Sequence, residues 1–469
     1  MNIAPDLDSS QAEAVPERGK KDNSELTVYP EDYSLLTDLY QLTMAACYAG
    51  ESLDERKACF ELFVRRLPEG FGYLIAMGLA QALEYLEQFR FSSEQIAALQ
   101  ATGIFSEAPE RFWSLLATGR FTGDVWAVQE GTAVFANEPL LRVEAPLWQA
   151  QIVETYLLNT INYQTLVATR AARLRDVAGP QATLLEFGTR RAFSPQASLW
   201  AARAALAAGL DATSNVLAAL KLGRKPAGTM AHALVMALGA IHGSEGQAFA
   251  AFHHYFPGAT LLIDTYDALA AARLLAYQLQ AGEIELRGVR LDSGDLVALS
   301  REIRSILPGI PIFASGDLDE WEIARLQAEG ACIDGYGLGT KLVTGSPVNG
   351  VYKLVEIEGI PVMKKSVGKE TYPGRKQIFR RFYQNQMQAD RLGLAAESPT
   401  DDCEQPLLQL VMKDGKRLQP PEPLEAMRER TAINVASLPS ETRRLSEPQQ
   451  PPVELSKELQ ALLQQMQIS

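Results

Sequence analysis

An α/β protein built around a (β/α) barrel is what the sequence predicts, and three observations predict it. From about residue 180, short apolar runs end in polar or Gly-rich turns and are followed by helical stretches. The run ends are TLLEFGTRR, GLDATSN, AGTMAH, TLLIDTYD, RGVRLDSGD, PIFASGDLD and CIDGYGLGT. They recur every 18 to 35 residues or so, the rhythm of βα units that build a parallel sheet. Segments on either side change period: GDVWAVQEGTAVFANEPLLRVEAP and VYKLVEIEGIPVMKKSV read as short strands broken by Gly and Pro. The length, 469 residues, exceeds one ordinary core and predicts two structured domains with tails. A parallel sheet closed as a barrel is the simplest solution, and an open doubly wound sheet satisfies the same rhythm.

Taken in order, residues 1–30 are polar and rich in Pro, Lys and Glu, which predicts a flexible tail. Residues 31–150 form an N-terminal domain. It opens on LLTDLYQLTMAACYAG, where Leu35, Leu39, Leu42 and Ala46 fall near helical spacing and Gly50 is placed to end the helix. The strand-rich stretch 123–146 superficially resembles a lipoyl or biotinyl carrier, but it contains no lysine to bear the group. LWQAQIVETYLLNTINYQTLVATRAARLRD then predicts one long helix with a basic C-terminal end. Residues 151–350 carry the barrel rhythm and 351–415 return to short strands, as if completing the first domain. Residues 416–469 read as a Pro-rich peripheral segment ending in the short helix VELSKELQALLQQMQ.

Composition narrows the function. Apolar residues make up 47% and charged residues 22%, the balance of a soluble globular chain. The net charge of −13 argues against a general nucleic-acid or anionic-membrane binder. The start carries no apolar secretory core, and the longest uncharged apolar stretch, near AHALVMALGAI, is too short to span a bilayer. Cys47, Cys59, Cys332 and Cys403 fit neither a zinc site nor a disulfide scaffold, so reduced thiols in the cytoplasm are expected.

The residues suited to chemistry gather where strands should end. CIDGYGLGTKLV places Gly335, Gly337 and Gly339 after a predicted strand, where backbone N–H groups can approach a phosphate and Thr340 adds a hydroxyl. The spacing to Lys341 is wrong for a Walker loop. A structural tight turn explains the glycines about as well. VRLDSGDL offers Arg290 with Asp292 and Asp295, a pair suited to magnesium or ribose hydroxyls, or simply to capping a helix. EFGTRRAFS offers Phe187, a stacking surface for a planar ring, and Arg190 with Arg191 for an anionic group.

His232 opens the apolar stretch HALVMA, and all four histidines lie between 232 and 254. Thr229 is expected as the N-cap of that helix, placing His232 near its third position. The positive end of a helix disfavours charge on an imidazole, and a neutral imidazole is a nucleophile. A phosphate on it would sit where helix N-termini prefer anions. A hydrogen-bonded structural histidine remains the simpler reading of that stretch alone.

Together these motifs resemble the nicotinate phosphoribosyltransferase family. The resemblance is carried by LLTDLYQLTM at 35–44, FELFVRRLP at 60–68, LLEFGTRRA at 184–192, DATSNVLAA at 211–219 and AGTMAH at 227–232. It continues through IDTYDAL at 263–269, GVRLDSGDL at 288–296, YGLGTKLVT at 336–344 and VYKLV at 351–355. It covers about residues 33–385 and leaves both tails outside.

The resemblance implies an irregular barrel of the type II phosphoribosyltransferase kind with an α/β sandwich domain. It implies that nicotinate and 5-phosphoribosyl 1-diphosphate give nicotinate mononucleotide and diphosphate, the first step of NAD salvage from nicotinate. ATP hydrolysis is implied as coupled, with Mg2+ as cofactor and a homodimer that shares its active sites. By residue, it implies that His232 is transiently phosphorylated from ATP. Tyr40, reaching across the dimer, and Phe187 would flank the ring. Thr229 and Arg290 would contact nicotinate, Arg190 would be an active-site arginine, and Thr340 would contact the sugar diphosphate. Asp292 and Asp295 would lie near ribose and metal. Similar nicotinamide enzymes place an aspartate where this chain has Ser214, and a serine can donate to a carboxylate. The family usually has a serine after the histidine, where this chain has Ala233.

Overall fold

The computed structural model describes residues 26–366 and 371–468. Most of the predicted 1–30 tail therefore lies outside the described residues. Two hydrophobic cores organise the rest. One lies under an antiparallel sheet of seven strands, among them Lys57–Val64, Asp124–Ala127, Pro139–Pro146 and Gly350–Ile357. The other lies within a parallel sheet of six strands. In chain order these are β1 (Thr183–Glu186), β2 (Ala212–Thr213), β3 (Leu261–Leu262), β4 (Val289–Leu291), β5 (Ile312–Gly316) and β6 (Gly335–Leu338).

The parallel strands run in the spatial order β2-β1-β6-β5-β4-β3. The two edge strands, β2 and β3, share no ladder among the described residues. Residues 227–230 span the gap instead. The amide of Ala227 donates to the Thr213 carbonyl at the end of β2, 2.9 Å away. The Thr229 hydroxyl donates to the Thr260 carbonyl next to β3. Met230 turns into the barrel core. This irregular seam lets the βα rhythm close around a core without a continuous ladder.

Three local expectations need correction. Thr229 is not a helix cap: its hydroxyl is committed to the seam. Helix α4 (His232–His242) begins one residue after its N-cap, Ala231, so His232 is the first helical residue. The first long helix, α1 (Leu39–Gly50), starts after Asp38, which is extended, so Leu35 lies in the preceding turn; Gly50 is the last helical residue and Glu51 the cap. The single helix expected after residue 147 breaks at Val153, into Leu147–Ile152 and α2 (Glu154–Ala178).

Helix α2 touches both halves of the molecule. Its Thr165 and Thr169 hydroxyls bond the backbone of Met77 and Ile75, while its Arg173 pairs with Glu320 in the barrel. Helix α3 (Pro195–Ala207) follows β1, α5 (Glu245–Tyr255) follows α4, and α6 (Leu296–Ile306) follows β4. The residues after 416, read from sequence as peripheral, are built into the fold. Helix α8 (Leu424–Ser437) buries Met427 and Val435 in the barrel core, and the strand Val453–Leu455 pairs in parallel with Gln386–Leu394. Among the described residues no helix is long and apolar enough to cross a membrane.

Candidate active site

In a parallel βα sheet the loops after the strands gather on one face, where sites are assembled. The structure brings most of the predicted residues to that face. Phe187 and Arg190 follow β1, Ser214 follows β2, Arg290 lies in β4, Asp292 and Asp295 follow β4, and Thr340 follows β6.

Arg290 is the best-defined group. Its Nη2 donates to the Met230 carbonyl at 2.9 Å, tying β4 to the seam. Its guanidinium lies over the Phe187 ring, 6.0 Å from the centroid. Its Nε is buried and has no partner among the described residues. Burial lowers its pKa, opposed by Asp292 and Asp264 and reinforced by Arg190. A buried cationic donor left unpaired costs free energy unless something fills it, so the geometry favours an anionic ligand beside the Phe187 face.

Phe187 is held there by a missing side chain. A Cβ on Gly337 would come within 2.6 Å of the Phe187 ring, and one on Gly335 within 2.6 Å of Phe313. The glycine run is thus corrected: Gly335 and Gly337 belong to β6 itself and make room for aromatic rings. Gly339 lies after the strand, where a Cβ would meet the Phe187 carbonyl only at an ordinary contact distance of 3.5 Å, so no ring needs its hydrogen. Thr340 opens the short helix α7 (Thr340–Val343) directly after it.

The acid pair divides. Asp295 caps α6, accepting from the amides of Val297 and Ala298 at 3.1 Å each, which is the capping reading of that motif. Asp292 is exposed and accepts from the Ser315 hydroxyl at 2.5 Å. Its own amide donates to Asp264 Oδ2 at 2.8 Å, as does the Ser293 hydroxyl, and Asp264 Oδ1 is buried without a partner among the described residues. Asp264 follows β3 inside IDTYDAL, and spacing alone gave no reason to single it out. Among the described residues no group of three or more potential ligands forms a metal cage. Asp292 and Asp264 still fit a magnesium ion, which takes one or two carboxylates and fills its shell with substrate oxygens and water.

His232 sits at the first position of α4 with its Nδ1 3.1 Å from the Thr265 hydroxyl, and its Nε2 engages nothing among the described residues. Ala233 beside it is exposed, so the hydroxyl bonded to the imidazole comes from Thr265. Ser214 is fixed through its amide, which donates to the Glu186 carbonyl at 2.9 Å; its hydroxyl is unengaged among the described residues. Glu186, also missed from sequence, is buried at the end of β1. It accepts from the Thr213 hydroxyl and the Gly188 amide, and burial raises its pKa. Arg190 is exposed on the rim.

Tyr40 stands apart. It lies on α1, is 46% exposed, and donates to Glu154 Oε2 at 3.1 Å rather than meeting Phe187. Burial, then the Glu154 carboxylate, push its hydroxyl up to about 12.

Comparison with known proteins assigns this arrangement to a family. Residues 35–162 match the N-terminal domain of nicotinate phosphoribosyltransferase (NAPRTase), residues 182–310 the NAPRTase family model, and residues 400–463 the C-terminal domain. The last match extends the likeness past residue 385, into the segment read from sequence as outside it. Nicotinate phosphoribosyltransferase pncB2 of Mycobacterium tuberculosis is 41% identical over 425 residues, covering 88% of this chain and 89% of its own. The crystal structure of human nicotinic acid phosphoribosyltransferase superposes with a TM-score of 0.81 at 32% identity, over 92% of this chain and 99% of that one. A nicotinate-nucleotide pyrophosphorylase structure from Pyrococcus furiosus follows at 0.72 and 25%, over 88% and 98%. These matches span nearly the whole described fold, and this chain belongs to the nicotinate phosphoribosyltransferase family.

Proposed function

We propose that the strand-end cluster joins nicotinate to 5-phosphoribosyl 1-diphosphate, giving nicotinate mononucleotide and diphosphate. The observation that carries this reading is Arg290, with a buried unpaired Nε beside the face of Phe187. A planar carboxylate fits that pair: the ring stacks on Phe187 and the carboxylate takes the guanidinium. The free Ser214 hydroxyl can donate to the same carboxylate, where an aspartate would repel it. Arg190 on the rim and Thr340 beyond Gly339 are placed to take the phosphate and diphosphate of the sugar.

The ring nitrogen of nicotinate attacks the anomeric carbon as diphosphate leaves, and no base is required. The chain's part is to hold the two reactants in line and to stabilise charge. Magnesium, held by Asp292 with Asp264 or Asp295, would neutralise the leaving diphosphate. ATP enters as a co-substrate through His232. Its free Nε2 and its place at a helix N-terminus suit a transient phosphohistidine. Phosphorylation there biases the site toward tight sugar-diphosphate binding and so couples ATP hydrolysis to synthesis.

A homodimer completes the reading. Phe193 at 76% exposure, with Val216, Leu217 and Leu220, offers exposed apolar surface after β1 and β2, and Leu39 and Tyr40 are exposed on α1. Apposing these faces would carry Tyr40 of one copy toward Phe187 of the other.

Side-by-side assays with nicotinate, nicotinamide and quinolinate test the substrate. Turnover of nicotinate is expected. Preference for the amide, or release of carbon dioxide from quinolinate, would overturn it. His232→Ala should abolish ATP stimulation and leave some uncoupled transfer; ATP stimulation surviving in that variant would remove His232 from the coupling.

A further inference from the structure

We propose that Tyr163 and Arg170, both on α2, are positioning residues that hold Thr340 at the sugar-diphosphate end of the site. The inference rests on the reading of Thr340 as a diphosphate contact. It concerns two side chains that none of the site motifs contains.

Helix α7 is a single turn of four residues, too short to be stable alone. A helix end leaves carbonyls without partners, and in so short an element they are most of the backbone. Here two of them, and the carbonyl of the C-cap Thr344, are taken by α2. Arg170 Nη1 donates to the carbonyls of Lys341 and Thr344, and the Tyr163 hydroxyl donates to that of Val343 at 3.2 Å. Tyr163 and Arg170 are seven residues apart, two turns, and so share one face of the helix.

The approach is built into the chain. Gly345 has φ 118°, and a Cβ there would collide with the Arg170 guanidinium. The Lys341 side chain is fixed separately, by an ion pair to Asp319 at 2.9 Å. The turn that starts with Thr340 therefore hangs from α2 by its main chain and from the loop after β5 by one side chain. Since α2 is 25 residues long and anchored in both cores, it supplies a rigid frame that a four-residue turn lacks. Neither side chain hydrogen-bonds a strand-end residue proposed to touch substrate, so both act through Thr340.

The test compares full-length Arg170→Met, Arg170→Lys, Tyr163→Phe and Thr340→Val with the natural sequence. Titration calorimetry with 5-phosphoribosyl 1-diphosphate and magnesium gives binding, steady-state assays give both KM values and kcat, and thermal melts confirm folding. Arg170→Met should weaken sugar-diphosphate binding about tenfold and Tyr163→Phe about threefold, as expected for losing two and one hydrogen bonds. Arg170→Lys, which keeps the charge and the donors but loses the reach and the planar fork, should fall between. KM for nicotinate and kcat should stay within about twofold. If Thr340→Val weakens binding but folded Arg170→Met and Tyr163→Phe do not, the positioning role is wrong. If Thr340→Val itself leaves binding unchanged, the assignment of Thr340 fails and this inference falls with it.

Discussion

The strand-rich side and the barrel mouth handle buried charge differently. Among the strands of the first, buried charges face opposite charges supplied by the protein. Arg380 and Asp390, each under 2% exposed, form a two-pronged pair at 2.9 and 2.6 Å, with the Phe135 ring 5.4 Å away. Glu138 faces the same Asp390; burial, then that carboxylate, push its pKa well above the usual carboxylate range. Glu61 and Lys376 pair at 2.8 Å, equally buried. At the barrel mouth, Arg290 Nε and Asp264 Oδ1 are buried and unpaired, and the Ser214 hydroxyl and His232 Nε2 engage nothing among the described residues. A buried charge that meets its counter-charge fixes a structure, whereas several unengaged groups gathered at strand ends offer a ligand its contacts.

The largest expected effect breaks this contrast at the mouth. Arg290→Met should lower kcat/KM for nicotinate by roughly 10² to 10³, the worth of a charge-assisted contact in a desolvated site, with a stability loss no larger than that of its one hydrogen bond to Met230. Arg380→Met should do the reverse. Removing one partner of a buried ion pair costs about 3–5 kcal/mol, so the melting temperature should fall sharply while KM values of whatever folds stay near the natural ones. If Arg290→Met proved the more destabilising, Arg290 would be structural and the contrast would dissolve.

Asp295 sharpens the comparison, because it sits at the mouth yet is satisfied as a cap. Asp295→Asn keeps the cap and Asp295→Ala removes it at a cost of about 1 kcal/mol. If Asp295 is only a cap, the asparagine variant should retain its magnesium dependence; a raised magnesium requirement would make it a metal ligand as well.

The smallest effect is in pH. Glu245, in the first turn of α5, has its pKa pushed up to about 7, by burial first and then by Asp264 and Asp267. A raised carboxyl pKa means that the folded state keeps a proton the unfolded state loses near 4.5. Its stabilising contribution is complete below 4.5 and disappears as pH rises through 7. Glu245→Gln should flatten the stability profile across that window and be slightly more stable than the natural protein above pH 7, as urea melts at several pH values would read.

Much of this was legible in the sequence because strand ends announce themselves. An apolar run followed by polar residues placed Phe187, Arg290, Asp292 and Thr340 on one face, and the structure agrees. What was not legible depended on pairing across the chain. Thr229 looks like a helix cap, since a hydroxyl before an apolar run is the usual signal, and only the position of Thr260 reveals the barrel seam. Three alternating glycines look like a phosphate loop, but two of them are holes for Phe313 and Phe187. Asp264 and Glu186 were hidden because one acid in an apolar run has no local signature. The Pro-rich segment after 416 looks peripheral because its partners, α3 and the barrel core, lie more than 200 residues away in sequence.

The most direct test of the central claim is one assay of purified protein with nicotinate, 5-phosphoribosyl 1-diphosphate and magnesium, with and without ATP. Nicotinate mononucleotide should form in both conditions and faster with ATP; no mononucleotide in either would contradict the account.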